Sequence, residues 1–201
     1  PGALDLSAEM TRLRMNLLPE EVERFRALGA LSGEAIGQAV GAVRPGMTEM
    51  QIAALLEQEV QSRGAQPVVV LVATDERIFK FRHPLPTGKS MQKYAMLVLC
   101  ARQKGLVASV TRLLHLGGLP DEVRLKMVAT AQVDAAAIRA TQPGRTLGEI
   151  FGHIQQAYAA VGFADEWHLH HQGGPAGYEP REMTANPAST EVAAVGQVYA
   201  W

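Results

Sequence analysis

One stretch of this chain occurs twice. Residues 43–64 read VRPGMTEMQIAALLEQEVQSRG, and residues 141–162 read TQPGRTLGEIFGHIQQAYAAVG. At a constant offset, Pro45 matches Pro143, Gly46 matches Gly144 and Thr48 matches Thr146. The match continues through Ile52 with Ile150, Leu56 with Ile154, Val60 with Tyr158 and Gly64 with Gly162. Self-similarity at fixed spacing means one structural unit used twice. Each copy predicts a Pro-Gly turn followed by a helix. Thr48 stands three before Gln51, and Thr146 three before Glu149, the spacing of a reciprocal capping box. Apolar residues follow at i, i+4 and i+8, one buried stripe. Gly64 and Gly162 are expected as left-handed helix stops.

A longer helix precedes each copy. The first is expected from about Pro19, a favoured opening residue, to Val43. Its inward face would carry Val22, Phe25, Ser32, Ile36, Ala39 and Val43. The second is expected from Asp121 to Ala140, with Val123, Met127, Ala131 and Ile138 inward. Strands lie between and after the copies. The apolar run Pro67–Ala73 is expected as a central strand covered on both faces. Tyr94–Ala101 and Leu106–Arg112 read as a hairpin turning through Arg102-Gln103-Lys104-Gly105. Gly173–Gly177 reads as a loop and Val198–Trp201 as a strand. The class is therefore α+β. A lead-in spans residues 1–18, and one domain spans 19–201, with repeat halves of about 19–115 and 120–201.

Composition removes several functions. Net charge is −1, so no basic footprint for a nucleic acid is present. The longest apolar runs, Val68–Ala73 and Ala95–Ala101, fall far short of the ~20 residues of a membrane span. The single cysteine, Cys100, excludes an internal disulfide and fits a reduced, cytoplasmic compartment. The chain opens Pro1-Gly2 with no charged and apolar leader, so no secretory signal is expected. Charged residues are 19%, below the ~25% usual for soluble domains, which hints at surface covered by another subunit.

Several segments together resemble the pita-bread metallohydrolases, the group of Xaa-Pro dipeptidases, aminopeptidase P, methionine aminopeptidases and creatinase. They are the repeat, the hairpin, HPLPTG at His83–Gly88, HHQGGPAGYEPRE at His170–Glu182, and RLRMNLLPEEVERFRALG at Arg12–Gly29. The resemblance covers residues 12–201. It implies a pseudo-two-fold fold, with helices packed on a curved antiparallel sheet whose last strands lie beyond Trp201. It also implies two metal ions, held by two Asp, one His and two Glu, that activate a shared water. The two Asp belong on the central hairpin, eleven residues apart, at positions occupied here by Val98 and Ser109. With Ala101 opposite Leu106, Val98 is expected to face Ser109 directly across the ladder. Valine has no donor atom, and a neutral hydroxyl is a poor ligand for a hard cation. The family's His ligand falls on His171, and its Glu ligands fall past the last residue.

The expectation is thus a Xaa-Pro dipeptidase-like domain without its dinuclear metal centre, with no metal and no cofactor. It would keep a peptide-sized cleft or an assembly role. His83, His171, Tyr178, Arg181 and Glu182 are the expected substrate-binding residues, with Arg181 suited to a peptide carboxylate. No catalytic residue is assigned. Expected partners are a peptide ligand and a second copy of the chain, with no nucleic acid and no membrane. Two alternatives stay open. One is an active metal-dependent peptidase whose ligands come from a C-terminal part or a partner chain. The other is a creatinase-like hydrolase that works through His without metal. A new metal site on His168 and His170, on one face of a strand and completed by Glu166, Glu179, Glu182, His115 or His153, is a further possibility.

Overall fold

In chain order, the computed structural model contains α1 (Ser7–Met15), α2 (Pro19–Ala42), α3 (Glu49–Ser62), β1 (Gln66–Thr74), β2 (Tyr94–Gln103) and β3 (Leu106–His115). Then come α4 (Asp121–Ala140), α5 (Leu147–Ala160), β4 (Gly174–Ala176) and β5 (Val198–Ala200). Residues 3–201 are described, so Pro1 and Gly2, on which the expectation about the chain's start rests, lie outside them. The chain forms two compact units. One runs from Glu23 to Leu119, and the other joins the residues up to Val22 to Pro120–Trp201.

The sequence repeat is a structural repeat, bond for bond. Thr48 and Thr146 each close a capping box, with Gln51 and Glu149 as the returning side chains. Both helices end in the same Schellman pair. Gly64 N–H donates to Gln61 O and Ala65 N–H to Val60 O, at 3.0 and 3.3 Å. In the second copy Gly162 N–H donates to Ala159 O and Phe163 N–H to Tyr158 O, at 3.1 and 2.9 Å. Both stop glycines have positive φ, 77° and 84°. A returning segment docks on each helix start through equivalent backbone bonds. Glu49 and Met50 N–H donate to Lys89 and Thr87 O, and Leu147 and Gly148 N–H donate to Glu191 and Ser189 O.

In the Glu23–Leu119 unit, α3 packs on β1 through a stripe that includes Ile52, Leu56 and Val60, all fully buried. The α2 face contributes Leu28, Ala35, Ile36 and Ala39, also fully buried, while Phe25 is only half-buried; Val22, which belongs to the other unit, is half-buried too. The sheet order is β1-β2-β3, antiparallel throughout. The expected central strand is therefore at the edge, and β2 is central. Nor is β1 covered throughout: Leu71–Thr74 are buried, but Val68 is 37% exposed. The edge position suits Pro67 and the bulge between Pro67 and Val69.

The other unit packs α4 against α5 around Val133, Ala137, Leu147, Ile150, Phe151 and Ile154. The inward face of α4 is Ala129, Val133, Ala137 and Ala140, not the expected Val123, Met127, Ala131 and Ile138. Met127 and Ile138 are 53% and 60% exposed. The helix is apolar on two sides, and close approach to α5 selects the side lined with alanine. Gly174–Ala176, expected as a loop, is a short strand paired with β5, Pro175 opposite Tyr199.

Candidate functional site

The hairpin register settles where its expected site positions point. Gln103 pairs with Leu106, so the turn is the two residues Lys104 and Gly105, both at positive φ (52° and 87°). That is the primed turn whose twist matches the strands. A four-residue turn was expected, so every pairing moves by two. Val98 lies opposite Thr111, and Ser109 lies opposite Cys100, with Cys100 Sγ 3.3 Å from Ser109 Oγ. Val98 and Ser109 are diagonal neighbours on one face rather than directly opposed. That face carries a hydrocarbon, two hydroxyls and a thiol.

His83 is exposed in the segment between β1 and β2, and the following Pro84 is buried. Two carboxylates that the sequence reading passed over fix this segment. Asp75 takes the left-handed conformation (φ 50°) and accepts the backbone N–H groups of Gln92, Lys93 and Tyr94 at 2.9–3.0 Å. Glu49 is fully buried and accepts five hydrogen bonds. Its Oε1 takes Thr74 N–H, the Thr74 hydroxyl and Arg77 Nε–H at 2.9, 3.1 and 3.0 Å. Its Oε2 takes Thr87 N–H and the Thr87 hydroxyl at 2.9 and 2.6 Å. Burial pushes the Glu49 carboxyl up, but the bonds from Thr87 and Thr74 outweigh it and hold it below its ordinary value. Asp75 is likewise pushed up by burial, and the three backbone N–H groups and Lys89 hold it low. One signal was available: the repeat has Glu49 where its second copy has Leu147.

The remaining candidates lie in the other unit. The Glu182 side chain is 1% exposed, and both its oxygens accept hydrogen bonds. Oε2 accepts Arg14 at 2.6 Å, and Oε1 accepts Tyr178 N–H and Glu179 N–H at 2.7 and 3.0 Å. Glu182 therefore shapes its loop through three hydrogen bonds, one on Oε2 and two on Oε1. The Tyr178 hydroxyl bonds Glu21, at the start of α2. Arg181 is half-buried, and its Nη1 bonds the carbonyl of Pro180 at 2.5 Å. His171 is exposed, and its carbonyl is 2.6 Å from His170 Nδ1. Gly173 is forced: at φ 103°, a Cβ there would stand 2.1 Å from Ala200 O.

The sequence profile of metallopeptidase family M24 matches residues 23–201. The chain belongs to metallopeptidase family M24. Among curated relatives, the Xaa-Pro dipeptidase of Lactobacillus helveticus is 24% identical over 177 residues, covering 84% of this chain and 47% of that protein. The prolidase from Pyrococcus furiosus superposes with a TM-score of 0.87 at 20% identity, over 96% of this chain and 58% of that one. The dipeptidase from Mycobacterium ulcerans gives 0.87 at 20% identity, over 96% and 53%. Aminopeptidase P from Escherichia coli gives 0.82 at 17% identity, over 98% and 50%. The fold is thus the pita-bread fold, and the chain spans about half the length of these M24 proteins.

The two cations implied by the resemblance can be tested against the donors present. At the two hairpin positions the residues do not suit a cation: Val98 has no donor, and the Ser109 hydroxyl faces a thiol. Among the described residues, no three His, Cys, Asp or Glu stand together as a metal-holding group. The imagined His168 and His170 pair fails for a local reason. Glu166–Leu169 is a 3-10 turn rather than a strand, and the His168 ring lies 3.5 Å, centroid to centroid, from that of Trp167.

Proposed function

We propose that this chain is a Xaa-Pro dipeptidase-like domain that binds a short peptide without a dinuclear metal centre and without peptidase activity. The supporting observation is the β2–β3 face, where Val98 and Ser109 occupy the two positions that the family resemblance gives to aspartates. Without those charges, cations are neither concentrated nor placed to activate water. Peptide recognition falls to His83 and His171 and to Tyr178 and Arg181, with the Arg181 guanidinium suited to a terminal carboxylate. Glu182 belongs to the same set, and its bonds to Tyr178 and Glu179 N–H also fix their loop. No helix is long and apolar enough to cross a membrane among the described residues. The lone, buried Cys100 supports a reducing, cytoplasmic setting. The exposed Leu125, Met127, Val128 and Ile138 of α4 support a homodimer. Light scattering tests that, and a monomer at micromolar concentration refutes it.

The decisive experiment is titration calorimetry with Ala-Pro, run beside metal analysis and proline release after incubation with manganese. The expected result is saturable binding, well under one equivalent of metal and no free proline. His83→Ala and Arg181→Ala should each weaken binding about tenfold or more. A second reading has one support, that the chain spans about half the length of its relatives. On that reading the whole protein is an active metallopeptidase, and turnover abolished by a chelator would establish it. Turnover indifferent to the chelator would point to creatinase-like chemistry.

A further inference from the structure

We infer that Glu49 is a positioning residue that sets the conformation of the segment carrying His83. The inference rests on the proposed contact between His83 and the peptide. The geometry is a cross-link between the two ends of one excursion of the chain. Thr74 ends β1 and Thr87 lies past His83, and each gives both its N–H and its hydroxyl to a separate oxygen of the Glu49 carboxylate. The twelve residues from Asp75 to Pro86 are thereby closed into a compact loop with neighbouring ends. Arg77 carries the restraint inward. Its Nε donates to Glu49 at 3.0 Å, its Nη2 donates to Leu85 O at 3.0 Å, and its guanidinium lies 4.9 Å over the Phe81 ring. His83 lies between Phe81 and Leu85, so the restraint brackets it.

The second copy of the repeat separates this role from general scaffolding. There the same cap, the same helix stop and the equivalent backbone docking bonds form with Leu147 in place of Glu49. The helix start and its docked segment therefore need no carboxylate. What Glu49 adds in the first copy is confined to the 74–87 loop. A buried ionised group is retained only where it is fully bonded, and here both oxygens are.

The test uses the full chain with Glu49→Gln, which keeps the shape and removes the charge, and Thr87→Val, which removes one donor. Thr87→Ser is the control that keeps the hydroxyl. Hydrogen exchange of residues 75–87 should quicken about tenfold or more in the first two variants, while residues 145–150 stay unchanged. The imidazole resonances of His83 should shift in the same two variants, and Thr87→Ser should match the parent chain in both readouts. In Ala-Pro binding, Glu49→Gln combined with His83→Ala should lose no more than His83→Ala alone, because one acts through the other. Additive losses would overturn the inference. So would unchanged exchange and unchanged His83 resonances in a folded Glu49→Gln chain, or in Thr87→Val if Glu49→Gln does not fold. If the parent chain binds no Ala-Pro, the peptide reading fails, and exchange and resonance alone decide the role of Glu49.

Discussion

Replacing Arg14 with methionine should show how firmly the loop after His171 is held. Arg14 Nη2 stands 2.6 Å from Glu182 Oε2, with the Arg14 side chain 36% exposed and that of Glu182 1% exposed. Breaking a fully buried pair costs ~3–5 kcal/mol, because one charge is stranded. Breaking an exposed one costs ~0–1 kcal/mol. This pair is intermediate. Glu182 keeps the N–H groups of Tyr178 and Glu179, and water can enter where the partly exposed guanidinium stood. About 2 kcal/mol is expected, and methionine keeps the packing of the arginine stem. A chain of this size loses roughly 2–4 °C of melting temperature per kcal/mol, so Arg14→Met should fall by about 4–8 °C. Thermal unfolding followed by circular dichroism reads this. Glu182→Gln should cost less, because Arg14 can turn to solvent, and the double variant should show a coupling of about 1–2 kcal/mol. Glu179, 3.6 Å from Arg14 and 51% exposed, is the control, and Glu179→Ala should change stability by less than about 0.5 kcal/mol. If Arg14→Met melts within about a degree of the parent, the pair does not anchor the loop and the reasoning fails.

The other expectations concern backbone, acid and core. Gly173→Ala forces a methyl against Ala200 O at 2.1 Å in a left-handed conformation, so it should cost on the order of 3 kcal/mol or block folding, read by the same melts. The folded pKa values of Glu49 and Asp75 lie below their ordinary 4.5 and 3.8. Their contribution is therefore complete above those ordinary values and is lost as pH falls below them. Melting temperature should drop on acidification through that window, and Glu49→Gln should flatten the drop; an equal slope in both chains would refute it. Ile52→Ala and Ile150→Ala remove equivalent side chains that are both fully buried, so each should cost about 2–5 kcal/mol in denaturant titration. A large inequality would mean that the two copies share geometry without sharing energetics.

Local chemistry was legible wherever one residue type has one solution. The Pro-Gly turns, both capping boxes and both glycine stops follow from side-chain hydrogen bonds and positive φ, which involve only near neighbours. The second long helix runs over the expected residues, yet its inward face does not. Ala129, Val133 and Ala137 compete with Met127 and Ile138, and the choice depends on how near α5 comes, which no window of sequence contains. The hairpin turn fails in a similar way. Arg102-Gln103-Lys104-Gly105 offers a long turn and a short one, and only the twist of the finished ladder selects Lys104-Gly105 at positive φ. Glu49 was passed over because a glutamate in a first helical turn is ordinary. Its significance lies in Thr74, Arg77 and Thr87, 25, 28 and 38 residues away.

On the proposed reading, a peptide site on this scaffold draws its order from its loops rather than from cations. A dinuclear centre ties several elements together, because each cation binds side chains from different strands and loops. Val98 and Ser109 offer no such tie. A site without cations needs its loops fixed by the polypeptide itself, or ordering them consumes the affinity that a small ligand can supply. Among the described residues, one carboxylate with a buried side chain in each unit meets this requirement. Glu49 closes the loop of His83, and Glu182 closes the loop of Tyr178 and Arg181. Each accepts backbone N–H groups as well as a guanidinium, so each restrains the main chain and not only a side chain. If the proposed function holds, removing either carboxylate should weaken Ala-Pro binding through the loops while the hairpin stays intact. Substitutions on the hairpin face, such as Thr111→Val, should leave binding within about twofold, because no ligand contact is assigned there. The reverse ranking, with the hairpin sensitive and the loops indifferent, would return the site to the β2–β3 face and sink the argument.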